Sequence, residues 1–246
     1  FFYPHNPPPA ILSGLVGSEM CIRDRNNVFT GKFWSINRFV SGFSNNAFLI
    51  TCARTGRSVI IDTPSAPHEL ISAASKTNVE MILITHGHRD HVEGYEEVVA
   101  ALPAPTFIGF SDRKSLPLSA QVKIDVVTNE SIIIGDIVLK PLHTPGHTPG
   151  STCFVLESNR SITVGEPSHV FTGDTLFPSG PGRSKSHEAL KQIISSLKSH
   201  IFVLPEITIV LPGHGEFTTI GDSKREYAVF SSKPLSPTLS GDVTWA

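Results

Sequence analysis

"ILITHGHRDHVEG", residues 82–94, sets three histidines and an aspartate within six positions directly behind an apolar run. The apolar run reads as a buried strand and the stretch from Asp90 as the start of a helix. A strand ending at Thr85 and a helix starting near Asp90 make His86, His88, Asp90 and His91 converge at one sheet edge. Imidazole and carboxylate together suit zinc, iron or manganese, whereas calcium takes an all-oxygen shell.

Outward from this loop, three later segments repeat the design of a ligand just beyond a strand. "PLHTPGHTPGS" (141–151) offers His147, "VFTGDTLF" (170–177) offers Asp174 and "IVLPGHGEF" (209–217) offers His214. Pro145, Gly146, Gly173, Gly213 and Gly215 permit the tight bends that aim a short side chain inward. A lone histidine in a turn-rich loop is most simply a polar surface residue. A H-x-H-x-D-H string arises by chance on the order of once in a thousand such chains, so the residues are read together. Five histidines and two aspartates suffice for two metals with positions left for water and substrate.

The surrounding pattern predicts the frame. "FWSINRFV", "NAFLIT" and "SVIID" read as an antiparallel meander, followed by β-α-β-α-β succession through "PHELISAASKT", "EMILIT", "DHVEGYEEVVAAL" and "APTFIGF". A second strand-rich block runs from "VKIDVVT" to "SHVFTGD". The helix "SHEALKQIISSLKSH" then places Leu190, Ile193, Ile194 and Leu197 on one face. "EITIVLPG" is a last strand, "DSKREYAVF" a short helix, and the Ser/Pro-rich residues 231–246 a loosely held tail. The segment 1–25 has no regular apolar period; "LVGSEMCIRDR", Leu15–Arg25, resembles a translated sequencing-library adapter. Residues 1–25 are therefore read as a non-native or disordered extension and 26–230 as one domain.

Bulk properties agree with a single α/β unit acting on a small molecule. The chain has 246 residues, 39% of them hydrophobic, enough for one substantial core. Twenty basic and 22 acidic residues are interspersed, for a formal charge of -2, so no basic tract marks a nucleic-acid or anionic-membrane surface. Cys21, Cys52 and Cys153 form no C-x-x-C pair, which fits a reducing cytoplasm. The apolar runs are strand-sized, so no transmembrane helix is expected. The sequence leaves the oligomeric state open.

"THGHRDH", "HTPGHTPGS", "FTGDTLF" and "LPGHG", in this order and spacing, resemble the motifs of the metallo-β-lactamase-fold hydrolases, most closely the glyoxalase II-like branch. The resemblance covers about Val28 to Phe230 and implies an α+β, four-layer αββα sandwich: two mixed sheets flanked by helices, with the site at one edge. It also implies the division of ligands. One metal takes His86, His88 and His147, the other Asp90, His91 and His214, and Asp174 bridges them, with Zn2+ favoured and Fe or Mn as alternatives. Asp90 is the catalytic residue, orienting a metal-held hydroxide toward a thioester or ester carbonyl. An aspartate at 174 fits thioesterases and lactonases better than true β-lactamases. The alternatives are a lactonase, a β-lactamase-like hydrolase or a mononuclear iron persulfide dioxygenase. His143 is not expected to be a ligand, Arg183 has no assigned role, and His5, His68, His169, His187 and His200 are read as surface or packing residues.

Overall fold

The computed structural model describes residues 26–118, 122–125, 130–158, 167–234 and 236–245. The expectation for residues 1–25, His5 included, lies outside them.

Strands β1 (Asn27–Thr30), β2 (Trp34–Ser41), β3 (Asn45–Cys52) and β4 (Arg57–Ile61) pair antiparallel in sequence order. Helix α1 (His68–Ala74) then carries the chain back to β5 (Asn78–Ile84), parallel to β4. After α2 (Arg89–Val92) and α3 (Tyr95–Ala101), β6 (Thr106–Ile108) and β7 (Val122–Asp125) extend the sheet in parallel to seven strands. A 3₁₀ turn at Phe110–Ser115 separates the last two.

The second sheet has six strands in the order β15-β14-β11-β10-β9-β8. Strands β8 (Ile132–Ile134), β9 (Ile137–His143), β10 (Thr152–Ser158) and β11 (His169–Gly173) are antiparallel neighbours. A small ribbon of β12 (Leu176–Phe177) and β13 (Gly180–Pro181) leads to α4 (His187–Ser196), which continues as a π-type turn to Ile201. Then β14 (Ile209–Pro212) pairs parallel to β11, β15 (Thr218–Thr219) closes the edge, and α5 (Ile220–Ser231) follows.

The period-two alternation of the strands sorts side chains between layers. In β3, Phe48 and Ile50 face the second sheet while Ala47 and Leu49 face the helices. In β10, Phe154 and Leu156 point inward to the first sheet, and Cys153 and Val155 pack outward. Both faces of each sheet are covered, which is why runs such as "SVIID" are apolar without a polar face. Leu190, Ile193, Ile194 and Leu197 are all buried against the outer face of the second sheet, each contributing roughly 1.5–3 kcal/mol of burial. The αββα sandwich is thus the observed fold. Among the described residues no helix is long and apolar enough to cross a membrane.

Several local expectations are corrected. The single helix expected over "DHVEGYEEVVAAL" breaks at Gly94, where a Cβ would stand 2.3 Å from Pro64 O. The chain passes too close to the loop after β4 for any other residue there. Strand β7 belongs to the first sheet rather than to the second strand-rich block. The tail is not loosely held: Val243 and Trp245 are buried in the outer core, and the main-chain N–H of Trp245 donates to Ser179 O at 2.7 Å. Its Ser/Pro-rich composition concealed two apolar anchors.

Candidate metal centre

Strand β5 delivers the histidine loop, and a carboxylate that the sequence reading passed over holds it. Asp62, just after β4, is buried with φ +59, a left-handed conformation that Asp tolerates better than most residues. It accepts from Thr85 N at 2.7 Å, from Thr85 Oγ1 at 2.7 Å and from His91 Nδ1 at 2.9 Å. A second missed carboxylate, Asp112 on the 3₁₀ turn, ties the first loop to the second. It accepts from Gly87 N at 2.9 Å, Thr148 Oγ1 at 2.5 Å and Gly150 N at 3.0 Å.

These and similar bonds fix which ring nitrogen each histidine offers. The His91 Nδ1–H goes to Asp62. Thr85 Oγ1, its proton engaged by Asp62, accepts from His86 Nδ1 at 3.1 Å. His147 Nδ1 donates to Arg183 O at 2.8 Å and His214 Nδ1 to Phe43 O at 3.2 Å. In all four the lone pair left on Nε2 faces inward. His88 turns its Nδ1 to the same place, 3.1 Å from His86 Nε2 and 2.9 Å from His147 Nε2. Ring nitrogens with converging lone pairs repel unless a proton or a cation lies between them. For tetrahedral zinc the ligand–ligand edge is about 3.3 Å, close to these separations.

The donors fall into two groups, His86, His88, His147 with Asp174, and Asp90, His91 with His214, and within each group they lie within 4.8 Å of one another. In the second group His91 Nε2 and His214 Nε2 are 3.1 Å apart and Asp90 Oδ2 is 3.3 Å from His214 Nε2. Asn45, also unforeseen, donates to Asp90 Oδ2 at 3.0 Å. Asp174 stands between the groups: its Oδ1 is 3.3 Å from His91 Nε2, its Oδ2 3.4 Å from His147 Nε2 and 3.6 Å from His214 Nε2. Oδ1 is buried and no well-directed hydrogen bond reaches it. A buried carboxylate oxygen without a donor is costly, and a cation satisfies it. The glycines of the later loops make this approach possible, since a Cβ on Gly213 would meet Asp174 Oδ1 at 2.5 Å and His91 at 2.6 Å.

The sequence model of the metallo-beta-lactamase superfamily matches residues 40–228, most of the chain and all seven donors. The chain belongs to this superfamily. A probable hydroxyacylglutathione hydrolase, glo2, of Schizosaccharomyces pombe is 32% identical over 199 residues, covering 78% of this chain and 72% of its own. Hydroxyacylglutathione hydrolase GloC of Haemophilus influenzae is 29% identical over 214 residues, 79% of this chain and 96% of its own. Among solved structures, a metallo-beta-lactamase from Staphylococcus aureus has a TM-score of 0.68 at 28% identity, covering 78% of this chain and 62% of that longer one.

The electrostatics of this superfamily member suit a cation. Burial and the surrounding imidazoles hold His86 well below the usual histidine range. Burial also works against a charge on His91, but the Asp62 and Asp174 carboxylates outweigh it and raise this histidine to about 10. Asp174 is pushed up by burial but held well below the usual carboxylate range by His91, His86 and His214. The Asn45 hydrogen bond and His91 likewise overcome burial at Asp90. Without a metal, a proton on His91 is the positive charge balancing the carboxylates, so metal and proton compete for the site.

The remaining histidines stand apart. His143 donates from Nε2 to Pro149 O at 2.9 Å, outside both groups. His68 and His200 are exposed, and His187 is half-buried with Nδ1 on Leu239 O. His169 is buried against Phe29 and Trp34 with neither ring nitrogen partnered. Arg183 contributes its main-chain carbonyl to His147 while its side chain is exposed.

Proposed function

We propose that the chain is a hydrolase holding two divalent ions, Zn2+ first with Fe or Mn as alternatives, that cleaves a thioester or ester of a small molecule in the manner of glyoxalase II. The observation that carries this reading is Asp174, a part-buried carboxylate with one oxygen toward His91 and the other toward His147 and His214. On this reading His86, His88 and His147 hold one ion, Asp90, His91 and His214 the other, and Asp174 links them. Bound there, the ions supply a hydroxide nucleophile at neutral pH and polarise the carbonyl oxygen.

The chain's own residues do the rest. Asp90 is far more open than Asp174, with side-chain exposures of 42% and 12%, so it is the carboxylate an incoming substrate meets. Asn45 anchors its Oδ2 and leaves the group oriented to aim the nucleophile and take its proton. Asp62 and Asp112 keep the histidine loop in place. The names of the two hydroxyacylglutathione hydrolases support a thioester. The Haemophilus relative aligns over 96% of its length. The substrate is read as a small molecule of the cytoplasm.

The test is a panel of acyl thioesters, lactones, a β-lactam and a persulfide offered to zinc-loaded and iron-loaded protein. Thioester or lactone turnover should dominate, with the lactam weak. Efficient lactam hydrolysis, or oxygen uptake with the persulfide in place of hydrolysis, would overturn the assignment.

A further inference from the structure

The two carboxylates that brace the histidine loop are not equivalent. Asp62 lies against the ring of His91 and against the Thr85 hydroxyl on which His86 rests, so it serves donors of both groups. Asp112 touches no donor ring among the described residues, and the bonds it accepts come from residues adjoining one group alone. Gly87, whose N–H donates to Asp112 Oδ2 at 2.9 Å, stands between His86 and His88. Thr148, whose hydroxyl donates to the same oxygen at 2.5 Å, follows His147, and Gly150 N–H donates to Oδ1 at 3.0 Å.

The junction leaves no room for side chains from the loops it joins. A Cβ on Gly150 would stand 2.5 Å from Asp112 Cγ, and one on Gly87 would stand 2.7 Å from Ser115 Oγ and 3.0 Å from Asp112 Cβ. Main chain from both loops therefore lies directly against the buried Asp112. The surroundings are fixed in turn: Ser115 Oγ donates to Asp112 O at 2.7 Å, and Thr148 N–H donates to Ser151 Oγ at 3.1 Å. Hydrogen bonds to a carboxylate are roughly twice as strong as neutral ones, and a shift of either loop strips this buried group of a donor. Gly87 follows β5 of the first sheet, whereas Thr148 and Gly150 precede β10 of the second. Asp112 thus spans the two sheets at the point where His88 Nδ1 and His147 Nε2 come within 2.9 Å.

Resting on the reading of a two-ion centre, we propose that Asp112 is the positioning residue of one ion only, the one that His86, His88 and His147 would hold. It fixes the spacing between the histidine loop and the His147 loop, and so decides whether the chain carries two ions or one. Asp90, His91 and His214 have separate support from Asn45, Asp62 and the Phe43 carbonyl, and do not depend on it.

The test is a zinc titration of the full-length chain in competition with a chelator, paired with proton NMR of the cobalt-loaded protein. The imidazole N–H signals that cobalt displaces are assigned with His147→Asn and His214→Asn. Asp112→Ala should weaken one ion about 10- to 100-fold and leave the other within about twofold. Its cobalt spectrum should lose the signals of His86 and His147 and keep those of His91 and His214. A general loosening of the fold would weaken both ions together, so the ratio of the two affinities separates positioning from stability. Thr148→Val, which removes a single donor, should weaken the same ion by a smaller factor and carries the test if Asp112→Ala does not fold. Equal weakening of both ions, loss of the His91 and His214 signals, or unchanged affinities would overturn the proposal. One ion in the wild type would instead sink the two-ion reading, and the role of Asp112 would then stand or fall on whether Asp112→Ala loses the His86 and His147 signals.

Discussion

The first sheet brings four donors to the shared edge on a single loop, His86 to His91, and braces that loop with the buried carboxylates Asp62 and Asp112. The second sheet sends three separate loops, each with one donor, and braces them with main-chain carbonyls and with glycines that let backbone approach. The difference separates what a side-chain substitution can undo. On the first side the brace is itself a side chain shared by several donors, so its loss spreads. On the second side the rings of His147 and His214 are held by main-chain carbonyls, so what a substitution can undo there is the donors themselves, the glycines and the reach of Asp112 to Thr148 and Gly150.

The largest effects should come from the two carboxylates that face the reacting centre, one from each side. Asp90→Ala should lower kcat by about 10² or more even when metal is resupplied, because the group that aims the nucleophile is gone. Asp174→Ala should chiefly lower metal occupancy and be partly rescued by excess metal. Rescue of Asp90→Ala by metal alone would reverse these roles.

The braces come next. Asp62→Ala removes the acceptor of His91 Nδ1, Thr85 N and Thr85 Oγ1 together, and metal affinity should fall about 10- to 100-fold. Arg183→Ala should leave metal affinity unchanged, since His147 is held by the Arg183 carbonyl. Equal losses in the two variants, read by competition with a chelator, would erase the contrast between the sides.

This contrast also explains what could be read in advance. The seven donors were legible because each sits in a short Gly- or Pro-marked loop directly behind an apolar strand. The sandwich was expected from the resemblance of the four motifs to the metallo-β-lactamase fold, and the alternation of strand and helix periods agreed with it. Asp62, Asp112 and Asn45 were not, because strand pairing and the packing of the 3₁₀ turn bring them to partners 23 or more residues away. Asp62 carried a faint signal as a carboxylate ending the apolar run "SVIID". The break at Gly94 and the anchoring of Trp245 likewise depend on partners far along the chain.

A smaller effect belongs to a buried histidine that has no partner. His169 is buried with both ring nitrogens unpartnered, and burial lowers it to about 4 from 6.5. The unfolded chain therefore takes up a proton that the folded chain refuses, and stability is lost as pH falls from about 6.5 toward 4, by up to roughly 3 kcal/mol. His169→Phe should lack this loss, so its denaturation midpoint should gain on the wild type as pH falls. Parallel pH profiles would contradict it. The smallest effect belongs to residues 1–25, proposed as an extension outside the working domain: their deletion should leave metal content and turnover unchanged, and a fall in either would make the segment structural.

The central claim is that two donor groups meet at Asp174, and elemental analysis of the purified chain after zinc or manganese reconstitution tests it most directly. Two ions per chain are expected in the wild type, with markedly fewer retained by Asp174→Ala at the same free metal. One ion per chain in the wild type, unaffected by Asp174→Ala, would contradict the dinuclear centre and leave a mononuclear iron enzyme in its place.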